Sequence, residues 1–320
     1  MKRIFLLMTA VVLLCGMTIC GTAAAEKAEL PELPEGVVPV TWEPSPEHLI
    51  IETEEARALY ERIVAGDYPT MEELKASPVV AQLDALSDYY KAVYGNTMEI
   101  STPEREALRE EIKEQFLSIG SARIAGVNPR TNKVRYSYDG PLSYDYQMIL
   151  VLGLPASGKS SYLVDPISTV MGGFILDCDT VKELIPEFRE TYGCAADAVH
   201  FESFEIMHRA MQEFLTGKMK GANVLLPIVA SDLDELMETY IKPFEEAGYR
   251  VKAIFREAAP NEAAARVIMR DLATGRIINS AVAFSFGDKP EEVYNELSTM
   301  INSKGETYGF SEEEELEPAA

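Results

Sequence analysis

Between Ile149 and Ser161 the chain reads ILVLGLPASGKSS, an apolar run followed by Gly153-x-x-x-x-Gly158-Lys159-Ser160. That spacing is a phosphate-binding loop pattern, and its chemistry follows from the residue types. Glycines let the backbone curl so that successive N–H groups point inward at phosphate oxygens. Lys159 adds a charge for the terminal phosphates, and the Ser160 hydroxyl can ligate a bound magnesium. The expected nucleotide contacts are therefore Gly153, Leu154, Pro155, Ala156, Ser157, Gly158, Lys159, Ser160 and Ser161.

Three further groups of residues bear on what would receive a phosphoryl group. Asp177 and Asp179 follow the short apolar stretch Phe174–Leu176. A carboxylate at such a strand end can accept the proton of an attacking hydroxyl, or hold magnesium directly or through water. Asp179 is the candidate base and Asp177, with Ser160, the candidate metal ligand. Helix capping is the plainer explanation for Asp179. Arg266, Arg270 and Arg276 lie within eleven residues. Mobile arginines closing over a transferring phosphoryl group stabilise its spread negative charge. The plainer alternative is surface pairing with Glu262 and Asp271. Glu202, in His200-Phe201-Glu202-Ser203, is expected either to face the cleft and accept a hydrogen bond from a substrate hydroxyl, or to be an ordinary packed residue.

The elements that must position these residues are legible from periodicity. Helical spacing is expected from Thr53 (Ala56, Leu59, Ile63, Val64) and over Pro78 to Tyr94 (Val79, Leu83, Leu86, Tyr90, Val93). Thr102-Pro103-Glu104 starts a third helix, with Thr as cap and Pro in the first turn. Val134 to Tyr138 alternates as half of a small hairpin. From Gln147 strand and helix alternate. Strands are expected at 148–152, 174–176, 223–229 and 250–255. The helix after the loop should break at Asp165-Pro166, and a long helix should run from Ala195 to Lys218. Further helices should be opened by Ser231 with Asp234 as a capping box, by Asn261, and by Pro290. Such alternation implies an α/β fold: a parallel sheet of P-loop NTPase type with helices on both faces, preceded by a mostly helical N-terminal region. Ligands in such sheets sit at the strand C-termini, where the loop also lies.

Composition bounds the rest. A 320-residue chain that is 47% hydrophobic and 25% charged is globular, with room for one large domain or two modest ones. Its net charge of −23 argues against nucleic acid or an anionic membrane surface as partner. Lys2-Arg3, the apolar stretch from Ile4 to Cys20 and the Ala23-Ala24-Ala25 ending have the form of a secretory signal peptide, with an uncleaved membrane anchor as the alternative. Cleavage after Ala25 would leave no stable membrane insertion and an exported, periplasmic or extracellular protein. Residues 26–52 read as a Pro- and Glu-rich linker, 53–146 as the helical region, 147–303 as the α/β domain and 304–320 as a disordered acidic tail. Cys178 and Cys194 would remain after cleavage, and pairing between them depends on a distance that spacing does not supply. Three scattered histidines have no zinc-ligand spacing.

Taken in order, these residues resemble the zeta-toxin family of P-loop kinases, over about Gln147 to Ser303. The loop form G-x-P-x-S-G-K-[ST] is matched by Gly153, Pro155, Ser157, Gly158, Lys159 and Ser160. D-x-D-[ST]-x-[KR] with P-x-[FY] is matched by Asp177, Asp179, Thr180, Lys182, Pro186 and Phe188. V-H-x-E-S appears at Val199, His200, Glu202 and Ser203, G-x-N-V at Gly221, Asn223 and Val224, and G-Y-x-V at Gly248, Tyr249 and Val251. The arginine helix with Gly275-Arg276 completes the set. The resemblance implies ATP- and magnesium-dependent phosphorylation of a small hydroxyl substrate, UDP-N-acetylglucosamine in the best-known cases. It implies Asp179 as base, Lys159 and Ser160 as nucleotide and metal contacts, Glu202 and Lys182 on the substrate side, and Arg266, Arg270 and Arg276 as lid residues. It also brings an antitoxin-like protein partner into view.

One departure stands out. Family members usually end the strand after N-V with an acidic residue, any residue and Thr, whereas this chain has Pro227-Ile228-Val229. Either the substrate differs or the activity is weak. With the export signal, and ATP scarce outside the cytoplasm, the competing reading is a catalytically degenerate exported nucleotide-binding or interaction protein.

Overall fold

The structure is a computed structural model and describes residues 30–128 and 133–310. The expected signal peptide, the first residues of the expected linker and the acidic run Glu312–Glu315 lie outside the described residues. No described helix is long and apolar enough to cross a membrane.

Residues 30–52 carry no helix or strand, but they are not a free connector. Val37, Val40, Leu49, Ile50 and Ile51 are buried, and the Ile50 N–H donates to the Leu272 carbonyl at 2.9 Å. The Pro and Glu content hid this apolar strap. Thr53 then caps α1 (Glu54–Val64) by accepting the Ala56 N–H, and Thr70 opens α2 (Met71–Lys75) with a capping box to Glu73. After α3 (Pro78–Tyr94), Thr102 caps α4 (Pro103–Leu117) through the Arg105 N–H. A hairpin of β1 (Ser121–Val127) and β2 (Val134–Gly140) follows.

The main sheet begins with β3 (Gln147–Gly153), buried along nearly all its length. A π-helical turn at Ser160–Val164 feeds α5 (Asp165–Met171). Pro166 therefore does not break this helix; the wide turn carries the chain past its missing N–H. Next come β4 (Phe174–Ile175), α6 (Cys178–Lys182), α7 (Pro186–Glu190) and α8 (His200–Leu215), the last shorter than expected because 191–199 form turns. Beyond β5 (Val224–Ile228), α9 (Leu233–Leu236) is capped by Asp232, which accepts the Glu235 N–H at 2.9 Å. Ser231 is not the cap. A second π turn leads to α10 (Lys242–Glu246) and β6 (Arg250–Arg256). Pro260, not Asn261, opens α11 (Pro260–Thr274), because Pro suits a first-turn position. Asn261 instead donates to the Pro69 carbonyl at 3.2 Å. Helices α12 (Ser280–Ser285) and α13 (Lys289–Thr299) complete the order.

The four parallel strands stand in the order β4-β5-β3-β6. Their two faces feed separate cores: Met148, Leu150 and Leu152 point into one, Ile149 and Val151 into the other. A third core joins the strap and α1–α3 to Ala264, Ala265, Ile268 and Leu272 of α11. The N-terminal helices thus complete the covering of α11. At the other end, Tyr308 is buried and its carbonyl accepts the Ala253 N–H at 2.7 Å, so residues 304–310 pack on β6.

Candidate active site at the phosphate loop

The loop leaves the C-terminal end of β3 at Gly153, whose φ of 149° lies in a region other residues seldom adopt. A Cβ there would stand 2.7 Å from the Arg256 carbonyl oxygen, so only glycine lets β3 and β6 close beneath the loop. Ala156 is held at φ 54°, a left-handed conformation that costs a non-glycine residue energy and clusters at functional sites. The Lys159 ammonium folds back to donate to the Gly153 and Leu154 carbonyls, both at 2.7 Å. Burial pushes this lysine down to about 8, against the pull of Asp177 and Asp179 and helped by Arg270. The Ser157 Oγ is buried with no hydrogen-bond partner among the described residues. A left-handed loop, a retained cation and an orphaned hydroxyl fit a polyphosphate, which would supply the missing acceptors.

Opposite the loop, β4 ends and Asp177 caps α6, accepting the Asp179 N–H at 2.9 Å. Burial, then the neighbouring Asp179 charge, pushes the Asp177 carboxyl up to about 6. Burial alone would raise Asp179 too, but Lys182 and Arg276 outweigh it and hold this carboxylate below its ordinary range. The Lys182 ammonium stands 3.2 Å from one Asp179 oxygen, and Arg276 pairs with the other. One ligand atom from each of Asp177, Cys178 and Asp179 lies within 4.8 Å of the others. Burial raises the Cys178 thiol, so it stays protonated, leaving oxygen donors for a hard cation such as magnesium. Ser160 is exposed at the loop's end and adds a hydroxyl.

The three arginines part company. Arg276 follows the left-handed Gly275 at the end of α11 and reaches Asp179, its Nε having no partner among the described residues. Arg270 pairs with the buried Asp271 at 2.9 Å and lies close enough to Lys159 and Asp179 to act on both electrostatically. Arg266 turns away: it pairs with Glu262 at 2.5 Å and donates to the Tyr68 hydroxyl at 3.1 Å. The surface-pairing alternative therefore describes Arg266, and partly Arg270. Among the described residues Arg266 has no hydrogen bond or ion pair with the loop.

Glu202 is also elsewhere than its cleft-facing expectation. It is 1% exposed, held by the Nε atoms of Arg105 and Arg109 from α4, each at 2.7 Å. Arg105 also grips Glu187 at 2.7 Å, and Arg109 donates to the carbonyls of Thr97, Met98 and Ile100. Burial would raise Glu202, yet hydrogen bonds from Arg105, Thr97 and Arg109 hold it below its usual range. In this arrangement it joins α8 to α4 and has no face for a substrate. Lys182 is likewise buried and committed to Asp179.

Two residues with a place beside the loop had drawn no notice in the sequence. Arg256 ends β6 with its guanidinium 4.5 Å from the ring centre of the exposed Tyr162, and its Nε donates to the Ser157 carbonyl at 3.4 Å. The register of β6 against β3, with Gly153 opposite Arg256, is the only signal that brings them together. Pro227 is explained by topology. The Asn223 and Leu225 carbonyls face β4, accepting from Phe174 and Leu176, each at 2.8 Å. By two-residue alternation Pro227 faces that same side, past the point where β4 stops, so its missing N–H costs no ladder bond. Cys178 and Cys194 are both free thiols.

Residues 144–288 match the family described as Zeta toxin. A solved chain of the PezAT chromosomal toxin–antitoxin system of Streptococcus pneumoniae is similar at 15% identity over 67% of this chain and 84% of that one, with a TM-score of 0.39. No curated protein matches. The matched segment 144–288 carries the phosphate loop, the paired aspartates and the arginine helix, and it is this part of the chain that is similar to the zeta-toxin family.

Proposed function

We propose that the protein transfers the γ-phosphoryl group of ATP to a hydroxyl of a small molecule, with a UDP-activated amino sugar as the first acceptor to try. One observation carries this reading: Lys159, Asp177, Asp179, Arg270 and Arg276 converge where the loop meets the ends of β3 and β4. The loop amides and Lys159 hold the polyphosphate. Asp179, ionised at neutral pH, takes the hydroxyl proton as the acceptor oxygen bonds to phosphorus; the bond to the bridging oxygen breaks, and ADP leaves with its electron pair. Arg270 and Arg276 offset the negative charge that spreads over the moving group. Ser160 and Asp177 would hold magnesium, which supplies further neutralisation of the phosphate oxygens. For Asp179 to act, Arg276 must give up its present ion pair and turn to phosphate.

The test is transfer from γ-labelled ATP to a metabolite panel. Lys159→Ala and Asp179→Asn should each abolish labelled product while circular dichroism stays unchanged. Normal turnover by Asp179→Asn would remove it as the base. A second reading, nucleotide binding without transfer, is favoured by the acceptor side: Pro227-Ile228-Val229 offers no carboxylate and Glu202 is sealed by arginines. Tight ATP binding with no labelled product from any acceptor would establish it.

A further inference from the structure

Residues 275–280, the segment that presents Arg276, are held at both ends by groups that the chemistry above does not use. At the start, a Cβ on Gly275 would strike the Tyr192 carbonyl and approach Pro44 of the strap to 3.1 Å, and one on Gly193 would come within 3.1 Å of the Arg276 Cα. Ile277 is fully buried in the core that joins the strap and α1–α3 to α11. At the end, three consecutive backbone N–H groups donate to three carboxylates. Ile278 donates to Asp271 at 3.0 Å, Asn279 to Asp197 at 3.3 Å and Ser280 to Asp84 at 2.7 Å. The Ser280 hydroxyl donates to the second Asp84 oxygen at 2.6 Å. Asp197 in turn accepts the Ser87 hydroxyl of α3 at 2.8 Å, and the second Asp271 oxygen accepts Arg270 at 2.9 Å.

We propose that Asp84 of α3 is a positioning residue for Arg276, fixing the backbone from which that side chain exchanges Asp179 for phosphate. The inference rests on the transfer role proposed for Arg276. Such an exchange is a rotation about side-chain bonds, and it finds its target only if the Cα stays in place. A misplacement of about 1 Å at a reacting group can cost 10²-fold in rate. Hydrogen bonds from N–H groups to an ionised carboxylate are stronger than neutral ones, so this segment is fastened by its firmest kind of contact. Among the three carboxylates Asp84 makes the two shortest bonds, and it has no ion pair with a site arginine, as Asp271 has. Helix α3 lies outside the 144–288 segment. The N-terminal helical region would therefore act in transfer without touching nucleotide or acceptor: it supplies the anchor for a site arginine that the matched segment carries.

Calorimetric titration of the full chain with ADP alone and with ADP plus aluminium fluoride, a stand-in for the moving phosphoryl group, tests this without an acceptor. Asp84→Ala should weaken the aluminium fluoride complex by about tenfold and leave ADP unchanged. In an Arg276→Ala background it should weaken neither, because a residue that acts through Arg276 has nothing left to position. Ser280→Ala, which removes only the hydroxyl bond, should show the same pattern with a smaller loss, and serves if Asp84→Ala does not fold. Hydrogen exchange of the free protein adds a second readout: amides 278–280 should exchange faster in Asp84→Ala, with β3 and β6 unchanged. Equal aluminium fluoride affinity in parent and variant, the same loss with and without Arg276, or faster exchange spread through β3 and β6 would each overturn the positioning role. A parent that binds ADP with aluminium fluoride no better than ADP, or an Arg276→Ala variant that binds it like the parent, would instead overturn the transfer role of Arg276 and this inference with it.

Discussion

Asp179 and Glu202 each meet two cationic side chains, and their surroundings separate them. Glu202 is 1% exposed, and its guanidinium partners are themselves 9% and 1% exposed. Asp179 is 37% exposed, with Lys182 and Arg276 at 5% and 18%. A carboxylate closed in by α4 and α8 has nowhere to exchange partners, and breaking it leaves buried charges uncompensated. One at a strand end beside a loop can trade an arginine for a hydroxyl or a metal. Equal pairing chemistry therefore makes a joint in one place and leaves, in the other, a carboxylate open to the role proposed for it. Accessibility, not residue type, makes the distinction.

The sharpest way to break this comparison is to neutralise each carboxylate in turn. Asp179→Asn should lower transfer from labelled ATP by roughly 10²–10⁴-fold, the usual contribution of a positioned proton acceptor. Its thermal midpoint should move little. Glu202→Gln should do the reverse, costing about 3 kcal/mol in denaturant unfolding because Arg105 and Arg109 lose the buried carboxylate they share and keep only Glu187 and Glu106 at its margin. Folded Glu202→Gln protein should keep its ATP affinity; a selective loss of acceptor binding would return Glu202 to the substrate side.

The arginines give a finer test. Arg276→Ala should reduce transfer by about 10²–10³-fold, as for other groups aimed at developing charge. Arg266→Ala should leave transfer unchanged and cost no more than about 1 kcal/mol of stability, since it gives up one partly exposed ion pair and a tyrosine contact. Equal kinetic effects of the two would erase the division of the helix into site and surface.

The smallest effect is with pH. Folded Lys159 gives up its proton near 8, against 10.5 for an ordinary lysine. Between those values the unfolded chain binds more protons, so this group makes the unliganded protein more stable as pH rises. Polyphosphate needs the charged form, so triphosphate affinity should fall above pH 8, by at most about tenfold per pH unit. Lys159→Arg should flatten that dependence.

Much of this was legible in the chain itself. The loop, the strand ending in Asp177-x-Asp179 and the alternation of strands with helices are local patterns, and each appeared close to its expected residues. Local rules failed where another element supplied the decision. The strap at 30–52 looks like a connector until α11 and the N-terminal helices offer its valines and isoleucines a core. Asp232 outcompeted Ser231 as a cap by a one-residue difference in backbone path. Arg256 had no motif, and only its pairing opposite Gly153 places it at the loop.

By itself the sequence determined that a phosphate loop would form and that a parallel sheet would carry it. Backbone freedom at glycine and the burial of apolar runs act over a few residues. Tertiary structure decided which charged groups would share the site. It turned Arg266 to Tyr68 and Arg276 to Asp179, although both belong to one short stretch. It also withdrew Glu202 behind α4. The physical reason is that a charge settles by the partners and solvent around it, and those arrive from residues as far as 198 positions away.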